Sequence, residues 1–196
     1  IPLAEETGLI VRIGELVLFE ACKQLKELLK QAPSLTVAIN VSAIQCRPRL
    51  VQTVAYALQT HSIPAAQLEI EITETVLANE EDVLLTLNSL HELGVKLSLD
   101  DFGKGFSCLS YLKTFPFDIL KIDQSFVRNM LDDSTDQALV KTIVNMAKDL
   151  GLEPVAEGVE TLAHVEVLRA IGCRSLQGYY FSRPCPADQI DLQWPD

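Results

Sequence analysis

The chain has 196 residues, 48% of them apolar, which excludes disorder and gives ample length for a buried core. Its 27 acidic against 16 basic side chains leave a formal charge of -11, and that excludes a general binder of DNA or RNA polymers, whose phosphates need clustered Lys and Arg. The five cysteines are odd in number, scattered and without a CxxC pair, the pattern of reduced thiols in a cytoplasmic protein rather than of a zinc site.

No apolar run approaches the ~20 residues of a membrane span, and IPLAEETGLI at the start lacks the basic region of a signal peptide. From Thr7 to Lys30, Ile10, Ile13, Val17, Leu18, Ala21, Leu25, Leu28 and Leu29 recur at three and four, which predicts one amphipathic helix ended by Pro33. Leu35 to Val41 is a β-rich run that delivers Asn40 near its end. Pro48 suits the first turn of a helix running to about His61. Gln67 to Glu74 is the second strand: Leu68, Ile70 and Ile72 face one way, Glu69 and Glu71 the other. Asn79 and Asp82 predict the capped start of a helix that Gly94 stops.

The stretch VKLSLDDFGKGFSCLS, from Val95, is the centre of the chain. Val95, Leu97 and Leu99 alternate with Lys96, Ser98 and Asp100 as in a strand, and Asp100 and Asp101 fall where it gives way to a glycine-bearing loop. Asp118 to Asp123 is the next strand, with Ile119, Lys121 and Asp123 on one face. Ser134 and Gln137 predict a capping box for a helix ended by Gly151. Pro154 to Glu160 is strand then loop, Thr161 caps a helix closed by Gly172, and Ser175 to Phe181 is a sixth strand.

Strands alternating with helices predict βα units on a parallel sheet. Asn40, Glu71, Asp100, Asp101, Lys121, Glu157 and Gln177 all lie at or near strand C-termini, and a (β/α) barrel gathers those ends at one mouth. Two adjacent carboxylates repel unless water or a cation neutralises them. Asn40, Glu71, Asp100, Asp101 and Glu157 offer only oxygen, the preference of magnesium or manganese. Two such ions ~3.5 to 4 Å apart clamp an in-line phosphoryl displacement, and a lysine at Lys121 suits a ring that handles phosphate. Glu74 and Glu160 lie beyond their strands and are expected to hold loops.

In order along the chain, IPLAEETGLI, AINVSAIQ, LEIEITET, LDDFGKGFSCLSYL, DILKID, AEGVE and LQGYYFSRP resemble the motifs of the EAL family of bacterial cyclic di-GMP phosphodiesterases. That resemblance implies an α/β fold, a modified TIM (β/α)8 barrel, in one domain over residues 1–196. It implies hydrolysis of cyclic di-GMP to linear pGpG with two Mg2+ or Mn2+ ions, inhibited by Ca2+. By the same resemblance Asn40, Glu71 and Asp100 are ligands of one metal, and Asp100, Asp101 and Glu157 of the other. Lys121 holds the attacking water, Gln177 lies near that water and the substrate, Asp123 contributes to substrate binding, and Glu74 anchors the loop from Gly103 to Cys108. Expected partners are cyclic di-GMP, a second copy in a homodimer, and an upstream sensor or GGDEF-type domain. The family's namesake Glu-Ala-Leu is absent from this sequence, and Lys104, Phe106 and Cys108 stand where Thr, Tyr and Ser are usual. The barrel is therefore expected to lack its first strand or strands, and a catalytically silent cyclic di-GMP receptor acting through protein partners is the alternative to the enzyme.

Overall fold

In the computed structural model of the chain, which describes residues 1–78, 80–103 and 109–192 (side chains of residues 78, 80, 109 and 110 excepted), a short helix that the sequence reading did not predict precedes the predicted one, and Gly8 separates the two. Helix α1 spans Pro2–Glu6 and α2 spans Leu9–Leu28, with Gly8 at φ 70 between them, a left-handed conformation that costs glycine nothing. Helix α2 also ends well before Pro33. Its buried residues are Ile10, Leu18, Cys22 and Leu25, whereas Ile13 and Val17, predicted as part of the apolar face, are 43% and 49% exposed. The reason is Gly14, which lies on the i, i+4 row between Ile10 and Leu18. A Cβ there would meet the Gln45 amide at 1.9 Å, so this row makes the close approach.

The chain divides into two compact units, one made of residues 1–97 with the tail from Cys185, the other of Ser98–Pro184. In the first, β1 (Val37–Asn40) pairs in parallel with β2 (Leu68–Thr73), with Val37 opposite Leu68 and Asn40 opposite Glu71. Helix α3 (Pro48–His61) links them, starting at its proline as predicted and ending at left-handed Ser62. A short 3-10 turn, Glu74–Ala78, follows β2 and leads to α4 (Glu80–Leu93), which Gly94 closes at φ 93. Asn79, the predicted cap, lies outside the described residues. Leu68, Ile70, Ile72, Leu87 and Leu90 are fully buried and form the centre of this unit.

Strand β3 (Lys96–Phe102) carries the chain into the second unit. There β3 pairs with β4 (Ile119–Ile122), β4 with β5 (Glu153–Ala156) and β5 with β6 (Ser175–Leu176), all in parallel. The connections are helices α5 (Leu109–Thr114), α6 (Gln124–Asn129), α7 (Ser134–Asp149) and α8 (Leu162–Ala170). Helix α6 is absent from the sequence prediction. The cap of α7 is Asp133, not Ser134: its side chain accepts from Thr135 N at 2.7 Å, one residue earlier than the predicted box. Thr161 caps α8 as predicted. The sixth strand is only two residues long, because Gly178 turns the chain against Val159, where an added Cβ would lie 2.2 Å from the Val159 carbonyl oxygen.

Candidate active site

Successive side chains of a regular strand point to opposite faces, so Asp100 and Asp101 should diverge. They do not, because β3 is bulged at this point. Leu99 faces Leu120 on β4 and Phe102 faces Ile122, three steps on one strand against two on the other. Within the bulge Asp101 has φ 57, a left-handed conformation that Asp tolerates better than most residues. Both aspartates lie inside the strand, which runs one residue past the pair to Phe102 instead of giving way to loop at them. The Asp101 N–H donates to Asp100 Oδ1 at 2.8 Å, which orients the first carboxylate.

Glu157, one residue past β5, completes the group. One oxygen from each of Asp100, Asp101 and Glu157 lies within 4.8 Å of the others. Its backbone N–H donates to Ile122 O at 3.2 Å, continuing the β4–β5 ladder to the edge of the site. Lys121 rises from β4, whose four residues are all buried. Its Nζ lies 2.7 Å from Glu157 Oε1 and 3.6 Å from Asp100 Oδ1. The ammonium is 4% exposed and these two carboxylates 14% and 16%, so the charges face one another with little water between them. One ammonium against three carboxylates leaves net negative charge, and an all-oxygen set suits a hard divalent cation. The donor set and the clustering both fit such an ion.

Gln177 is exposed just beyond β6, and its backbone is held at both ends: its N–H donates to Ala156 O at 2.8 Å and its carbonyl accepts from Val159 N at 3.0 Å. Asp123 is fully buried one residue past β4 and caps α6, its Oδ1 accepting from Ser125 N at 2.9 Å and from the Ser125 hydroxyl. The Asp-x-Ser pattern at 123–125 is the sequence signal that could have announced α6. In the first unit the register of β1 on β2 sets Asn40 beside Glu71, and Asn40 Nδ2 donates to Glu71 Oε2 at 2.9 Å. The same amide keeps its Oδ1 as the atom that can ligate a cation. Glu71 is buried and Asn40 exposed. Glu74 opens the 3-10 turn directly after β2; residues 104–108 of the loop it was expected to anchor lie outside the described residues.

Cys22, Cys46 and Cys173 are buried free thiols and Cys185 is an exposed one. Burial pushes the Cys46 and Cys173 thiols up to about 11. No helix among the described residues is long and apolar enough to cross a membrane.

Parallel strands joined by helices, with acids gathered at the strand C-termini, define a protein of the (β/α) barrel class with a carboxylate cluster that could hold a cation. The chain belongs to the EAL domain family, whose model matches residues 1–184, and its fold is the modified barrel of that family. It is 46% identical over 193 residues to the bifunctional diguanylate cyclase/cyclic di-GMP phosphodiesterase MucR of Pseudomonas aeruginosa, covering 97% of this chain and 28% of MucR. The solved complex of the PaMucR phosphodiesterase with c-di-GMP superimposes with a TM-score of 0.90 at 46% identity, over 96% of this chain and 77% of that one. BlrP1 of Klebsiella pneumoniae, solved with manganese and c-di-GMP, gives a TM-score of 0.76 at 35% identity over 87% of this chain and 45% of that one. The chain thus spans little more than a quarter of the length of MucR.

Proposed function

We propose that this chain is the catalytic part of a metal-dependent phosphodiesterase that hydrolyses cyclic di-GMP to linear pGpG. The observation that carries the reading is the gathering of Asp100, Asp101 and Glu157 around one point, with Lys121 held against Glu157 and Asp100. Asp100, Asp101 and Glu157 would hold one Mg2+ or Mn2+, and Asn40 and Glu71 would supply oxygen ligands to a second. Such ions, when bound, neutralise the phosphate, acidify water and stabilise both the attacking and the leaving oxygen.

The chain's own groups do the rest. Lys121 donates from a nearly dry position and orients the attacking water. Gln177, fixed through its backbone, offers an amide to that water and to the substrate. Asp123 holds the start of α6 through its cap on Ser125 and reaches the substrate only if that cap opens; we place it in the substrate-binding set on the resemblance. Glu74 we assign to anchoring the loop after β3. Calcium, with longer and looser coordination, should permit substrate binding and slow turnover; BlrP1 has been solved with calcium and c-di-GMP together. Buried reduced thiols fit a cytoplasmic setting, and the pairing of activities in the name MucR favours a GGDEF-type or sensor domain as neighbour.

The deciding experiment is incubation of the protein with cyclic di-GMP and Mg2+ or Mn2+, with chromatographic detection of pGpG. Metal-dependent pGpG is expected. Tight binding of cyclic di-GMP without any product would replace the enzyme by the receptor.

A further inference from the structure

Helix α6 (Gln124–Asn129) starts directly after Asp123 and touches both chain segments that leave the carboxylate cluster. Gly103, directly after Phe102, lies on the Phe126 ring, which an added Cβ would meet at 2.7 Å. Gly158, directly after Glu157, lies on Gln124, whose Cβ and Cα would stand 2.6 and 3.1 Å from an added Cβ. Two residues further, Glu160 Oε1 accepts from Arg128 Nε at 2.8 Å. Arg128 is in turn gripped from α8, because its carbonyl oxygen faces His164 Nε2 at 3.4 Å. His164 Nδ1 lies 2.9 Å from Thr161 Oγ1, and the His164 N–H donates to the same oxygen at 3.3 Å. A carbonyl only accepts, so Nε2 carries the hydrogen of that contact. The segment from Glu157 to His164 thus closes a ring of contacts around α6.

We propose that α6 is the shelf that fixes the distance of Glu157 from Asp100 and Asp101, and that Arg128 is a positioning residue for metal binding, a role that rests on the metal reading above. Both partners of the Arg128–Glu160 pair are 44% exposed, and an exposed pair adds little to global stability. What it does add is local. Three clustered carboxylates repel one another, and at Glu157 the loop is joined to β4 by a 3.2 Å backbone bond to Ile122 and by the Lys121 ammonium, which serves Asp100 as well. The Arg128 guanidinium pulls on the same loop three residues from the ligand and opposes that repulsion. Groups that orient metal ligands from behind commonly change metal affinity while sparing the fold.

The test compares the unaltered protein with Arg128→Ala, Glu160→Gln, their double variant and Arg128→Lys. Free Mn2+ is titrated by electron paramagnetic resonance, and cyclic di-GMP hydrolysis is followed against Mn2+ concentration. Arg128→Ala should raise the Mn2+ concentration for half-saturation about ten-fold, with Tm nearly unchanged and turnover restored at saturating Mn2+. Glu160→Gln should act in the same direction, the double variant should be no worse than the single ones, and Arg128→Lys should recover most of the affinity. An unchanged Mn2+ midpoint in folded Arg128→Ala would overturn the positioning role while leaving the metal site intact, and so would a turnover loss that saturating Mn2+ does not repair. Failure of the unaltered protein to bind Mn2+ would sink the metal reading, and the shelf with it.

Discussion

Asp101 carries the sharpest conflict between local backbone preference and chemistry. Its φ of 57 costs a non-glycine residue on the order of 1 kcal/mol, and its carboxylate sits against two others. Both terms disappear in Asp101→Gly. That variant should therefore melt at a higher temperature than the parent in the presence of a chelator, yet lose about 100-fold or more in metal-dependent turnover. A lower Tm in chelator would mean that the carboxylate stabilises the metal-free fold, against the strain argument. Lys121 differs in kind, since its loss leaves carboxylates facing each other without a cation. Lys121→Ala should cut kcat by roughly 100-fold while KM moves little, if the ammonium places water rather than substrate. A variant that keeps kcat and loses only affinity would move Lys121 into the substrate-binding set. Metal should also raise the Tm of Lys121→Ala by more than it raises that of the parent, because the ion then supplies the missing positive charge.

At the scale of elements, the strands contribute donors and the turns after them set the aim. Gly158 shows why those turns are glycine: it has φ 73, and its missing Cβ leaves room for the Gln124 backbone. Gly158→Ala must either strain the turn or push α6 away, because the Gln124 Cβ and Cα that the new methyl would meet move only with the helix backbone. A loss of roughly 1 to 3 kcal/mol in urea unfolding is expected, together with weaker Mn2+ binding, because Glu157 is its neighbour. Full stability and metal affinity in Gly158→Ala would show that the turn has slack which the close contact with Gln124 denies. The bulge in β3 works the same way, with one extra residue turning two adjacent side chains that a regular strand would separate.

For the molecule as a whole, two of the three buried thiols, Cys46 in the first unit and Cys173 in the second, predict an alkaline limit, and burial shifts Cys22 in the same direction. Cys46 and Cys173 each rise from an ordinary 9.0 to about 11 through burial. A raised thiol pKa means that the folded chain keeps protons the unfolded chain releases, so this stability is fully present below about pH 9 and is lost as pH climbs through 11. Two pH units amount to roughly 3 kcal/mol per thiol. Tm should fall steeply between pH 9 and 11, and the double variant Cys46→Ala, Cys173→Ala, less stable at neutral pH, should show a flatter fall. An equally steep fall in the variant would assign the limit to other groups.

The alternation of strand and helix, the starts of α3 and α8, the stop at Gly94 and the placement of seven polar residues at or near strand ends were legible in the sequence, because periodicity, prolines, caps and glycine stops act over a few residues. The acidic pair pointed to a candidate cation site for the same local reason, two like charges side by side. Helix α6 was missed because six residues are too few to display a period, though the Asp123–Ser125 cap marks its start. The face of α2 was misjudged because two apolar rows compete on it, and only the close approach at Gly14 chooses between them. The bulge at Asp101 depends on the register of β3 against β4, and the Arg128–Glu160 clasp joins residues 32 positions apart (160 − 128). Which residues could do the chemistry is a property of the chain; how far apart their oxygens stand was decided by strand register and by glycines that let one turn rest on the next.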